Sequence, residues 1–282
     1  MTERRIKAQH PALRDDIGDL VTRRPLPGPR VAQLDPFLFL NHHGPQVYPP
    51  HNGGLPFGPH PHRGFETVTF ILEGSLAHSD TGGHESIIDA GGVQWMTAGR
   101  GLVHAELSPE EFKRTGGPLE ILQLWVNLPA RLKMTAPRYC GLQRDQIRSI
   151  ALDGGRGAVN LISGAYESHT GPIEPLLDIM LATVTLNAGA EWRVTVPAER
   201  NVFFYIVRGT LEVNGAEARE HHLLEFEFEG SDIAITARTD AVLLFGHAEP
   251  LREPVVAHGP FVMNTREEIL QAIRDYQNGL FD

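Results

Sequence analysis

Thr67-Val-Thr-Phe-Ile-Leu72-Glu73-Gly74-Ser75-Leu-Ala-His-Ser-Asp80-Thr81-Gly82-Gly83 reads as two strands separated by a charged residue and a glycine, closed by a hairpin turn. The first six residues are β-branched or apolar, and Ser75 to Asp80 continues in strand-compatible types until Thr81-Gly82-Gly83. The same grammar extends in both directions. Ile87 and Ile88 lead to Ala90-Gly91-Gly92, Val93-Gln-Trp-Met96 ends at Gly99-Arg100-Gly101, and Leu119 to Leu128 is a longer strand closed by Pro129. Short strands with turns every eight to twelve residues or so imply an all-β protein of closed or double-sheet type.

The pattern returns in the second half. Phe203-Phe-Tyr-Ile-Val-Arg-Gly209-Thr-Leu-Glu-Val-Asn-Gly215 echoes Val68-Thr-Phe-Ile-Leu-Glu-Gly74-Ser-Leu-Ala-His, so the chain reads as a duplicated β-domain. Registering Gly74 on Gly209 sets Thr195 and Pro197 opposite His60 and His62, which leaves the second copy without metal ligands. The expected division is an N-terminal metal-binding domain, 1–134, and a C-terminal domain without a metal site, 135–282. Pro129 to Ile147, rich in Pro, Arg and Gly, is the expected crossover. Thr265-Arg-Glu-Glu268 fits a capping box that opens a short terminal helix, with Ile269, Ala272, Ile273 and Tyr276 on one face and Gly279 as a stop. So short a helix has to dock its apolar face on a sheet.

His60-Pro-His62 and His104-Ala-Glu106 carry the chemistry. On a strand, alternate side chains share a face, so each pair points one way. Two such pairs on strands brought face to face make a cage of three imidazoles and one carboxylate. That donor set suits a redox-active transition metal, being richer in nitrogen than a calcium or magnesium site and lacking the thiolates of a structural zinc site. The adjacent pairs His42-His43 and His221-His222 cannot chelate one ion on an extended strand and are expected at the surface. His78 and His84, flanking the Gly82-Gly83 turn, are expected to face solvent. Trp95, Trp125 and Trp192 read as core aromatics, the alternative being that Trp95 or Trp125, on strands of the metal half, lines a pocket for a planar substrate.

Composition narrows the function further. Among 282 residues the formal net charge is −10, which disfavours direct binding to nucleic acid. The single Cys140 rules out an intramolecular disulfide and any cysteine-built cluster, and fits a reducing compartment. No apolar run of signal-peptide or membrane-spanning length is present, so a cytoplasmic location without membrane association is expected. The glycine pairs open no helix and precede no Gly-Lys-Ser/Thr, and a Gly-x-Ser-x-Gly elbow is missing, so neither nucleotide binding nor serine hydrolysis is supported.

Gly54, His60, His62 and Glu66 match the first motif of the cupin superfamily, G-x5-H-x-H-x3-E, and Gly91 through Gly99 to His104 resembles the second, with Thr97 where proline is usual. More specifically, Pro59-His-Pro-His-Arg-Gly-Phe-Glu-Thr-Val-Thr69, Gln94-Trp-Met-Thr-Ala-Gly-Arg-Gly101, Gln123-Leu-Trp-Val-Asn-Leu-Pro129 and Glu253-Pro-Val-Val-Ala-His-Gly-Pro-Phe-Val-Met-Asn264 resemble the pirin family. The resemblance implies a bicupin of two double-stranded β-helix barrels. It implies iron, Fe(II), held by His60, His62, His104 and Glu106, with Glu66 a structural residue or one that supports the ligands; the donor set also suits other divalent transition metals such as manganese, nickel or copper. A ligating imidazole needs its other nitrogen hydrogen-bonded, and Gln94 or Gln123 is expected to supply that contact. It also implies quercetin 2,3-dioxygenase chemistry, the opening of a flavonol by O2 with release of CO, with Glu106 accepting the 3-hydroxyl proton. The alternative it implies is an iron-dependent, redox-responsive protein that binds a transcription factor or metabolic enzyme, with Arg63 and Arg100 near the site as signalling residues.

Overall fold

In the computed structural model, which describes residues 2–281, the two glycines that anchor the sequence echo share one conformation and one reason for it. Gly74 has φ 82° and Gly209 φ 86°; a Cβ on Gly74 would lie 2.6 Å from the Pro118 carbonyl oxygen, and one on Gly209 2.3 Å from that of Asp240. At both positions the chain turns from a long buried strand into a second sheet where only glycine fits. The strands are Phe65–Glu73 followed by Ser75–Asp80, and Asn201–Arg208 followed by Thr210–Val213.

Each copy pairs a seven-stranded antiparallel sheet with a four-stranded one. In the metal-motif copy the four-stranded sheet runs Phe57–His62, Leu102–Leu107, Ser75–Asp80, Glu85–Asp89. In the other it runs Glu191–Thr195, Asp232–Ala237, Thr210–Val213, Ala216–Arg219, which is the same order of equivalent elements. The chain is therefore an all-β bicupin with a short C-terminal helix, Arg266–Gln277. Among the described residues no helix is long and apolar enough to cross a membrane.

The two compact units do not follow a single cut near residue 134. Among the described residues one comprises 2–13, 24–36 and 145–250; the other comprises 14–23, 37–144 and 251–281. The strand Ile6–Pro11 pairs with His222–Phe226 of the C-terminal barrel, whereas the terminal helix belongs with the metal-motif barrel. Backbone pairing at a free sheet edge and burial of an apolar helix face draw the chain ends to these places, and neither force depends on distance along the sequence. The expected crossover is also partly structured: Arg138–Leu142 is the edge strand beside Val93–Thr97.

The terminal helix has the expected capping box. The Glu268 amide donates to Thr265 Oγ1 (3.2 Å), and Glu268 Oε2 accepts from the Thr265 amide (2.9 Å). Ile269 and Ala272 are buried with Phe261, Met263 and Phe281, and Val103 packs on this cluster. In the C-terminal barrel the interior is filled by Trp192, Phe204, Phe226 and Phe245 with aliphatic neighbours, leaving apolar packing where the other copy carries histidines.

Candidate metal centre

The strands that carry His60, His62 and His104 are hydrogen-bonded neighbours rather than strands facing each other across a barrel. Phe57–His62 runs antiparallel to Leu102–Leu107 with His60 directly opposite His104. Opposed residues on antiparallel neighbours share a face, and alternation adds His62 to it. The ligand nitrogens of His60, His62 and His104 all lie within 4.8 Å of one another.

Hydrogen bonding sets the tautomers. His60 Nδ1 lies 2.7 Å from the Gly58 carbonyl oxygen and His62 Nδ1 3.3 Å from that of Pro260. A carbonyl only accepts, so each Nδ1 donates its proton and leaves Nε2 with a lone pair. His104 Nδ1 is buried without a partner, and His104 Nε2 is 3.0 Å from His60 Nε2. Burial first, and the neighbouring imidazoles second, push His62 down to about 3 and His104 well below the usual histidine range. A proton is thus a poor occupant of this cluster, while a metal cation satisfies converging lone pairs. Two nitrogens bound at right angles at about 2.1 Å lie about 3.0 Å apart, the separation found here between His60 and His104. The three histidines fit a metal.

Glu106 lies outside that close nitrogen group. A β-bulge interrupts pairing between His104 and Glu106, and the Glu106 carboxylate reaches toward the seven-stranded sheet. There Oε1 accepts from Thr69 Oγ1 (2.9 Å) and from Gln94 Nε2, and Oε2 accepts from Gln123 Nε2. Gln94 and Gln123, expected on the imidazoles, hold the carboxylate instead, while backbone carbonyls orient His60 and His62. Gln94 is itself oriented, because its Oε1 accepts from the Tyr139 hydroxyl (3.2 Å), which also bonds Ser86 Oγ. With three of about four acceptor sites used, Glu106 keeps one for a metal or a proton.

Several expectations for other residues are corrected. His42 is fully buried with Nε2 2.9 Å from Glu120, and buried His43 pairs with Thr22 Oγ1 at 2.9 Å; both sit in the strand Phe37–Tyr48, covered on its two faces. His78 does not face solvent. It is cross-strand from Glu106, bonded to Asp80 at 2.9 Å and stacked on Tyr139 at 4.1 Å. Only His84 of that pair is exposed. Arg63 is buried, whereas Arg100 is exposed. Thr69, Tyr139 and Pro260 carried no sequence signal as contributors to the site, although Thr69 and Pro260 lie inside the quoted family blocks.

Trp125 is more than core. Half-buried, it stacks on half-buried Phe39 at 4.6 Å, lies 4.5 Å from Phe65 and meets His62 edge-on at 5.4 Å, forming an aromatic wall beside the cluster.

Glu66 is buried, with Oε1 accepting from Thr97 Oγ1 at 2.6 Å and Oε2 unpartnered. Burial raises its carboxyl to about 7, partly offset by Thr97, Trp95 and Arg138. The folded state therefore holds this proton between pH 4.5 and 7 while the unfolded chain has released it, so this group's contribution to stability falls as pH rises through that window. Glu66→Gln is expected to remove that component, which is roughly 3 kcal/mol at most. Urea unfolding of metal-free parent and variant at pH 5 and pH 8 measures the difference, and equal pH dependence in the two would refute the assignment.

The fold and this histidine cluster define a cupin with three converging imidazoles of a kind that fits a metal. A family model described as Pirin matches residues 19–126, and one described as Pirin C-terminal cupin domain matches residues 181–282. A pirin-like protein of Caulobacter vibrioides is 41% identical over 95% of this chain and 94% of its own, and human pirin is 39% identical over 91% and 86%. A crystal structure of quercetin 2,3-dioxygenase from Acinetobacter baumannii superposes with a TM-score of 0.94 at 32% identity, covering 99% of each chain. The chain belongs to the pirin family.

Proposed function

We propose that this protein is a mononuclear iron enzyme of the quercetin 2,3-dioxygenase type, acting in the cytoplasm on a flavonol-like aromatic substrate and O2. The observation that carries the reading is the convergence of three imidazoles, two of them held with Nδ1 on a backbone carbonyl, beside a buried carboxylate and an aromatic wall. The likeness to the Acinetobacter dioxygenase supports the substrate class.

Iron held by His60, His62, His104 and Glu106 supplies Lewis acidity toward the substrate hydroxyl and a redox partner for dioxygen. The chain's own residues do the rest. Trp125 and Phe39, backed by the fully buried Phe65, present flat apolar faces against which a planar ring system stacks. Glu106 has one acceptor site left, so it holds the iron while the substrate is away and takes the 3-hydroxyl proton when the substrate arrives, which leaves an electron-rich flavonolate. Thr69, Gln94 and Gln123 hold that carboxylate in place, and Tyr139 fixes the Gln94 amide. Burial keeps His62 and His104 neutral, so protons do not compete with the metal near pH 7.

The alternative, a redox-responsive binding protein, needs charged residues that report the iron state at a surface. Arg63 is turned inward and only Arg100 is exposed, while the carboxylate and aromatic wall beside the histidines have a role in the enzyme and none in the binding protein, so the enzyme reading is preferred. The test is anaerobic reconstitution with Fe(II), then quercetin in air, following loss of flavonol absorbance and release of CO. Iron-dependent turnover with CO is expected. Tight iron binding without turnover would overturn the enzyme in favour of the binding protein.

A further inference from the structure

We infer that the C-terminal segment Val256–Phe281 is a working part of the metal centre, with Arg63 as the positioning residue that ties both histidine strands to it. This rests on the reading that His60, His62 and His104 hold a metal.

Both ligand strands are fastened to that segment. His62 Nδ1 is bonded to the Pro260 carbonyl oxygen, and the next residue joins the same strand through the Val262 amide, which donates to the Arg63 carbonyl oxygen at 3.0 Å. The Arg63 side chain then makes three contacts. Its Nε donates to the Arg100 carbonyl oxygen (2.5 Å), in the turn that leads into His104's strand. Its Nη1 donates to Asp275 Oδ2 on the terminal helix (2.6 Å), and its guanidinium sits 4.5 Å over the Phe281 ring.

The fit leaves little slack. A Cβ on Gly64 would fall 2.0 Å from the Val262 carbonyl oxygen, and one on Gly101 2.8 Å from the Phe281 ring. Lys133 Nζ bolts the first approach by donating to the carbonyl oxygens of Gly64 (2.8 Å) and Val262 (3.0 Å). Val103 packs outward on the helix cluster, while its neighbour His104 faces the metal site.

The physical consequence follows from burial. Arg63 is 4% exposed, so its charge is compensated by Asp275 rather than by water, and removing that partner leaves a buried cation seeking another arrangement. The turn at Arg100 and the strand at His62 shift together when it does so. Groups that orient ligand imidazoles typically change metal affinity about 10- to 100-fold.

The experiment uses the full chain loaded with Co(II) or Ni(II). Parent, Asp275→Asn, Asp275→Glu, Phe281→Leu and the control Glu267→Gln, an exposed acid on the same helix, are compared. The readouts are the Ni(II) release rate into excess chelator and the Co(II) ligand-field spectrum, taken where circular dichroism shows each protein folded. Asp275→Asn and Phe281→Leu are expected to release Ni(II) at least about tenfold faster and to shift the Co(II) bands. Asp275→Glu should recover much of the parent behaviour, and Glu267→Gln all of it. Parent-like release and spectra in both Asp275→Asn and Phe281→Leu, even with lowered thermal stability, would reduce the segment to a structural strap and overturn the inference. A parent chain that binds neither metal would instead overturn the metal reading on which it rests.

Discussion

His104→Ala is expected to lower metal affinity by more than about 100-fold, beyond what loss of a ligand-orienting group costs, and to leave no iron-dependent turnover. His104 is the hinge of the cluster, because its Nε2 faces His60 Nε2 at 3.0 Å and its ring lies 5.0 Å from that of His62. The metal-free protein should tolerate the change better than its burial suggests. Truncation opens a cavity, but it also removes the unpartnered Nδ1, whose burial costs about 1–3 kcal/mol. Equilibrium dialysis with Fe(II) under argon, paired with urea unfolding of the metal-free forms, separates the two effects. A loaded, active His104→Ala protein would refute the ligand set.

Glu106→Gln is the complementary case, expected to retain much of the metal through three histidines while turnover falls by about 10²- to 10⁴-fold, the range for loss of a general base. The hydrogen-bond geometry sharpens this. Both carboxylate oxygens receive N–H donors, from Gln94 and from Gln123, so an amide nitrogen in place of either oxygen meets a donor. Gln94 is tethered by Tyr139, whereas Gln123 is half-buried, so Gln123 is the side chain expected to turn. The measurement is kcat on quercetin normalised to bound iron. Full activity per iron would remove the base role.

The firmest sequence readings lay where local physics suffices. Glycine at 74 and 209 is demanded by a positive φ and a carbonyl in the Cβ position, so the duplication shows in the chain itself. The strand Ser75–Asp80 and the Thr265 capping box depend on residues within a few positions of each other, and both stand where the sequence puts them. The His60 and His62 pair shares a face because strands alternate.

Register and packing across the barrel are a different matter. That His60 opposes His104 on a neighbouring strand depends on which strands pair, and the bulge before Glu106 is set by that pairing. The carboxylate's partners come from three strands of the other sheet, so no spacing rule shows that Gln94 and Gln123 serve Glu106. The histidines 42 and 43 look like surface residues because their compensating groups, Glu120 and Thr22, become partners only once distant strands pair; His78 has Asp80 two residues along its own strand, and what the sequence does not show is that Tyr139 stacks over it. Arg63 next to Gly64 looks like a solvated turn until Asp275, 212 residues away, is folded against it.

By itself, then, the sequence determined the β-architecture, its duplication and the three imidazoles, because alternation, turn stereochemistry and donor type are properties of short stretches of chain. Only the tertiary structure decided which unit owns each chain end, what holds Glu106 and what stands behind His62 and His104. Those depend on burial, which forces every polar group out of water to find a partner wherever the folded chain places one.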